Sequence, residues 1–215
     1  MLDYNSTMNL FGYAGRVYRR IWALFFASNF KRLGHNASII SPLQITGSEY
    51  IEIGDNVIVG YKSRLSAEKR DRHAPRLFIG DRTSVGQFSI ISCVKDVHIG
   101  KNVNMGARVY VSDNYHGFED IMLPIMVQPT IFKDSVCIGD DSWIGVNVAI
   151  MSAKVGKHCV IGANSVVTRD IPDYCVAAGI PAKVIKQYNF EKKVWQRVDE
   201  NGEFIKEALY ATEYE

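Results

Sequence analysis

The feature that most constrains this chain is a period of six. An aliphatic residue followed by glycine recurs at Ile53-Gly54 and Val59-Gly60, Ile79-Gly80 and Val85-Gly86, Ile99-Gly100 and Met105-Gly106, Ile138-Gly139 and Ile144-Gly145, and Val155-Gly156 and Ile161-Gly162. Six residues further on, four of these pairs continue with Ile91, Val111, Ile150 and Val167. Thirteen of the fourteen anchors are Ile or Val and the other is Met105, in a chain where Ile and Val together make up 43 of 215 residues. Ten of the seventeen glycines follow an anchor.

Such a period matches neither the 3.6 residues of an α-helix turn nor the alternation of a hairpin meander. It suits short strands that each point one branched aliphatic inward and are joined by tight bends. The glycine beside each anchor is expected to supply the backbone freedom of the bend. Three strands close one triangular coil. The third member of each triplet replaces glycine by Ser92, Ser112, Met151 or Thr168, so one corner differs from the other two. Stacked coils would bury the aliphatic stripe and satisfy their backbone groups against their neighbours.

Over residues 38–186 this pattern resembles the hexapeptide-repeat acyltransferases, and within them the galactoside/maltose-type and polysaccharide O-acetyltransferases. The resemblance implies an all-β fold, a left-handed parallel β-helix, assembled as a homotrimer with its active sites between subunits. The left hand is the family's, since the general preference of parallel crossovers is right-handed.

Residues 1–37 precede the repeats and form an N-terminal helical cap segment, with a helix predicted over 16–32. That basic and aromatic stretch either covers the open end of the solenoid or makes peripheral contact with an anionic membrane. Residues 38–186 are the β-helix domain. Its first interruption, 61–76, carries Lys62, Arg64, Glu68, Arg70 and Arg72; it reads as a solvated excursion or as a contact to an anionic substrate or nucleotide. The second, the acceptor loop 112–132, is long for a connection in a compact domain, and such loops are often functional. Residues 187–215 are expected to form a short helical tail packed on the solenoid.

Composition narrows the partners. Lys+Arg 25 against Asp+Glu 23 gives a net charge of +2, which argues against nucleic acid. The four cysteines form no CxxC pair and no two histidines lie within five residues, so reduced thiols and no metal are expected. The N-terminal residues read without a secretory leader, and the apolar run before Lys31 is too short to span a bilayer, which gives a cytoplasmic expectation.

The chemistry is expected in the acceptor loop. A sugar hydroxyl is a poor nucleophile at neutral pH and needs a base whose pKa lies near the working pH. The segment Ser112-Asp113-Asn114-Tyr115-His116-Gly117 resembles the acceptor loop of the family's sugar O-acetyltransferases, which implies His116 as catalytic base. Asp113 or Glu119 would orient the imidazole. Trp143, in Trp143-Ile144-Gly145, matches the family's Trp-Ile-Gly segment beside the acyl-transfer centre. Asn114, Tyr115, Glu119 and Ser89 are the candidate substrate contacts. The resemblance also implies acetyl-CoA as cosubstrate, held by Gly145, Ala163, Thr168, Arg169, Lys183 and Lys186, since lysines suit phosphate groups. The expected activity is acetyl transfer to a saccharide hydroxyl. N-acetylation of an amino sugar, a zinc-dependent lyase built on three convergent histidines, and a non-catalytic scaffold are the alternatives.

Overall fold

A computed structural model describes residues 27–205 of the chain. Its strands form three parallel faces. The first face stacks Arg32–Leu33, Ile51–Ile53, Arg76–Ile79, Asp96–Ile99, Val136–Ile138 and Lys154–Val155. The second runs from Ser38–Ile39 through Ile58–Val59, Ser84–Val85, Asn104–Met105, Trp143–Ile144 and Val160–Ile161 to Cys175–Gly179. The third holds Gln44–Thr46, Arg64–Ala67, Ile90–Cys93, Tyr110–Ser112, Ala149–Met151 and Val166–Val167. Successive strands of the chain therefore fall on successive faces, and each pairs with the strand one coil later. The result is a parallel β-helix.

All fourteen anchors lie inside it, none more than 2% exposed. Parallel pairing keeps them in file: Ile53, Ile79, Ile99, Ile138 and Val155 on the first face, and Leu65, Ile91, Val111, Ile150 and Val167 on the third. Burying each such side chain is worth about 1.5–3 kcal/mol, and the file supplies one on every face of every coil. Leu33, Ile39, Ile45 and Leu65 extend it towards the N-terminus. The first rung thus begins at Arg32–Leu33, paired with Glu52 and Ile53, before residue 38. Arg64–Ala67 is likewise a regular third-face strand, so the first interruption narrows from 61–76 to 68–75.

The repeat glycines act differently from expectation. None of the ten has a positive φ. The left-handed residue of each bend is the one two positions later: Asn56, Lys62, Arg82, Phe88, Asn102, Arg108, Asp141, Asn147, His158 and Asn164 all have φ between 52° and 61°. Asparagine and aspartate tolerate that region better than most side chains. Side chains at these corners also ladder between coils, with Arg82 Nε donating to Asn102 Oδ1 at 2.7 Å and Asn102 Nδ2 to Asp141 Oδ1 at 2.8 Å. What the glycines provide is room. A Cβ on Gly86 would stand 2.1 Å from the carbonyl oxygen of Gly106, one coil on.

Corner hydroxyls complete the satisfaction of the backbone. Thr83 Oγ1 donates to Gly100 O at 2.7 Å and accepts from Val103 N, and Ser142 does the same for Gly156 O and Cys159 N. Cys93, Cys159 and Cys175 are buried free thiols, and burial pushes each thiol up, that of Cys175 to about 11.

At the C-terminal end of the described residues the chain leaves the parallel coil. Residues 187–205, where a helical tail is expected, form strands and turns instead. Ala182–Asn189 folds back antiparallel on Cys175–Gly179, and Val194–Arg197 adds outside it. The open edge of the second face supplies unpaired backbone groups, and Tyr188 meets Trp195 across the new strands at 5.6 Å. Most of the predicted helix over 16–32 lies outside the described residues, as does the tail beyond 205.

Two outcomes follow from this packing. Gly86→Ala is expected to cost about 3 kcal/mol, the upper range for overpacking against a fixed neighbour, read as a lowered thermal midpoint. His98 stacks on Phe78 at 4.7 Å, and burial, reinforced by Arg76, holds its imidazole below the usual histidine value. The unfolded chain takes up that proton first, so this contribution to stability is present above about pH 6.5 and is lost as pH falls from there through the lower value of the folded state. His98→Phe should shrink the fall in thermal midpoint between pH 7.5 and 5.5; an unchanged fall would contradict the assignment.

Candidate active site

Both interruptions of the coil converge on the third face. Asn114–His116 and Thr130–Phe132 pair antiparallel, with His116 opposite Thr130, and turn residues 112–132 into a hairpin that stands off the coil. Gln128 pins its tip: the buried amide donates to Asp120 O at 2.8 Å and Leu123 O at 3.1 Å and accepts from Asp120 N. The excursion 68–75 rises beside it. Between them lies a cleft of about 290 Å³. Ile90 and Tyr110 line it from the coil, Asn114, Tyr115 and His116 from the hairpin, and Glu68 and Arg70 from the excursion.

His116 is exposed at the end of its strand, and among the described residues its imidazole has no hydrogen-bond or ion-pair partner. Nearby groups could hold a polar ring. Asn114 Nδ2 donates to Ser92 Oγ at 3.2 Å and to Asp113 Oδ1 at 2.8 Å, which fixes the amide at the cleft wall. Tyr115 packs against Phe118, ring centroids 5.8 Å apart.

Asp113 does not orient the imidazole. It is fully buried, and its carboxylate accepts three backbone N–H groups, from Val94 (2.9 Å), Lys95 (2.8 Å) and Asp96 (2.9 Å). It ties the root of the hairpin to the start of the Asp96–Ile99 strand. Glu119 accepts from Phe118 N at 3.0 Å on the exposed flank. Ser89 is a corner hydroxyl, 0% exposed, accepting from Val109 N at 3.2 Å inside the coil, and cannot meet a substrate in the cleft. His98 and His116, eighteen residues apart, do not stack. His98 belongs to the first face and His116 to the hairpin.

The remaining candidates stand elsewhere on the same chain. Trp143 projects from the second face, 55% exposed, between Asn104 and Val160. Gly145 and Ala163 stack at one corner, where a Cβ on Gly145 would lie 2.6 Å from Ala163 N. Thr168 and Arg169 leave the third face at the last coil, and Lys183 and Lys186 sit exposed on Ala182–Asn189, opposite Ala178 and Val176. None of these lines the His116 cleft. The sequence gives little warning of Tyr110; its one signal is its place immediately before the anchor Val111, which turns its ring outward. A second recess of about 230 Å³, walled by His158, Tyr174, Tyr188, Phe190 and Trp195, arises where the C-terminal strands fold back.

Comparison with known proteins gives this geometry a family. The model described as the hexapeptide repeat of succinyl-transferase matches residues 135–169. A protein of Mycobacterium tuberculosis named as an acetyltransferase is 39% identical over 152 residues, which cover 69% of this chain and 49% of that protein, so the chain spans about half the length of that relative. Escherichia coli WbbJ, which carries the name of a lipopolysaccharide biosynthesis O-acetyl transferase, is 34% identical over 163 residues, covering 73% of this chain and 81% of WbbJ. Among solved structures, a variant of AntD, an N-acyltransferase from Bacillus cereus in complex with dTDP and coenzyme A, superposes with a TM-score of 0.64 over 74% of this chain and 85% of AntD, at 20% identity. That likeness concerns the fold.

Removing the Asp113 carboxylate leaves buried backbone donors without an acceptor, each at about 1–3 kcal/mol. Asp113→Ala is therefore expected to lower the thermal midpoint by at least as much as Gly86→Ala, and a melt indistinguishable from the parent would contradict the anchoring role. Through its coil of six-residue repeats, the family model over its C-terminal coils and its match to most of the length of WbbJ, the chain belongs to the hexapeptide-repeat acyltransferases.

Proposed function

We propose that the chain transfers an acetyl group from acetyl-CoA to a hydroxyl of a saccharide, with His116 as general base. The observation that carries the reading is an exposed imidazole with no partner among the described residues, in a cleft lined by Asn114, Tyr115 and Tyr110. Such a group is free to take a proton from an entering hydroxyl. The hydroxyl is preferred to an amine because WbbJ, 34% identical, is named for O-acetyl transfer. A saccharide of capsule, lipopolysaccharide or exopolysaccharide is the acceptor class, and the cytoplasm the setting where the thioester is supplied.

The reaction runs in one cleft without a covalent enzyme intermediate. His116 removes the hydroxyl proton as the oxygen attacks the thioester carbonyl. A backbone N–H, with the indole N–H of Trp143, donates to the developing oxyanion. Collapse expels the thiolate, which takes the proton back from the imidazolium. Arg169, Lys183 and Lys186 would meet the phosphates of coenzyme A, and Gly145 and Ala163 would leave room for its pantetheine arm.

The acceptor cleft and the donor residues stand on different parts of one chain. We therefore read the working enzyme as a left-handed coil assembled into a homotrimer, with the His116 of one protomer facing the donor residues of the next. The exposed apolar tip of the hairpin, with Ile121 and Met126 more than four-fifths exposed, is suited to covering by such a neighbour.

His116→Ala should lower acceptor-dependent thiol release from acetyl-CoA by about 10²–10⁴ while its melt and assembly match the parent. Unchanged release would remove His116 from the mechanism. Hydroxyl-only sugars should support release and amino sugars should add nothing beyond their hydroxyls; release confined to amino sugars would replace O-transfer by N-transfer.

A further inference from the structure

The cleft that holds His116 carries a charge that no described residue neutralises. Arg64 lines it, and its Nε is buried with no hydrogen-bond partner among the described residues. A buried donor of this kind is rare because it forfeits the hydrogen bonds it had in water, and more so when the group is charged. Glu68, the one carboxylate on the cleft wall, is already engaged: Oε1 accepts from Ser66 Oγ at 2.8 Å and Oε2 pairs with Arg70. The wall therefore offers two guanidinium groups against one carboxylate, and the uncompensated one is Arg64.

Its position in the coil makes the charge deliberate in a physical sense. Arg64 belongs to an outward column of the third face that runs Gln44, Arg64, Ile90, Tyr110, Ala149, Val166 in register. It is the single charged member. Its backbone is fixed by the parallel ladder, with Arg64 N donating to Ser89 O at 2.8 Å. A planar fork of donors is thus held on a rigid strand, at the edge of a floor made by Ile90 and Tyr110, in the same cleft as His116. That fork matches the oxygens of a carboxylate or a phosphoryl group.

We propose that Arg64 selects an anionic acceptor: the saccharide entering the cleft bears a carboxylate or phosphoryl group, whose oxygens Arg64 binds while the reacting hydroxyl lies at His116. This rests on the reading of the cleft as the acceptor site. The oxyanion is the shared chemistry of two sources, a uronic acid and a sugar phosphate, including one esterified to a nucleotide or a lipid.

The test is calorimetric titration of the full chain with three probes: glucose, glucuronate and glucose 1-phosphate. At least one anionic probe should bind about tenfold or more tightly than glucose, as a charge-assisted pair in a partly buried site allows. The gap should close in Arg64→Gln and reopen in part in Arg64→Lys, with both variants melting as the parent does. A gap for glucuronate alone assigns a carboxylate, and one for glucose 1-phosphate alone a phosphoryl group. Equal binding of all three probes, or a gap that survives Arg64→Gln, overturns the proposal. Because binding needs no turnover, it separates from the mechanism: if His116→Ala leaves thiol release unchanged while the Arg64-dependent gap persists, the base has been misassigned and the anion site stands.

Discussion

The close stacking of one coil on the next is the constraint from which the rest of the molecule follows. Gly54 N donates to Ile79 O, Gly80 N to Ile99 O, Gly100 N to Ile138 O and Gly139 N to Val155 O, each at 2.8 Å. At that spacing the corners have no room for a Cβ, so glycine recurs there whatever its φ. The bend itself is made two residues later, by side chains that accept the left-handed region. Repeating one short step leaves few choices: an inward position must be a mid-sized aliphatic, and an outward position joins a column whose chemistry is read along the axis.

A coil so regular has no natural concavity, and its site must come from what is inserted into it. The two insertions leave the coil at the same corner, between the third and first faces, one after Arg64–Ala67 and the other two coils later after Tyr110–Ser112. Each must return in register, since a slip of one residue would turn the aliphatic file outward. Asp113 and Gln128 meet that demand. The Asp113 carboxylate gathers the amides of Val94, Lys95 and Asp96 at the hairpin root, and the Gln128 amide gathers the tip. Both are buried polar groups fully occupied with backbone, which suits them to holding geometry and removes them from proton transfer.

The aliphatic-glycine pairs made the three-sided coil legible from the sequence, because a single physical requirement repeats there many times. Leu33 and Leu65 escaped the pattern only because leucine is not β-branched and no glycine follows Leu65, although both occupy the same inward place. The helical expectation for residues 187–205 failed for a different reason. An open strand edge at Cys175–Gly179 attracts whatever chain follows it, and that edge exists only in three dimensions. His116 stood out in sequence through its loop, and the fold places it on a cleft wall. Ser89 and Asp113 were misjudged because a hydroxyl or carboxylate near a site looks the same in sequence whether it faces the cleft or the backbone. Arg64 was visible as a charge, but that its Nε has no partner among the described residues is a property of the fold.

The division between hairpin and coil bears on how a site of this kind can change its substrate. The imidazole sits on the inserted element, whose root and tip are held by Asp113 and Gln128. The guanidinium sits on a strand locked by ladders on both sides. On the proposed reading, recognition from so fixed a strand would favour selection by shape and charge before proton transfer begins, since a group already fixed loses little freedom on binding. Substituting Arg64, Ile90 or Tyr110, the members of that outward column that line the cleft, would then alter which acceptor enters, at small cost to the coil. The same substitutions one residue inward would strike the aliphatic file and the fold with it. On the proposed reading, acceptor choice and stability would thus be carried by alternate residues of the same strands.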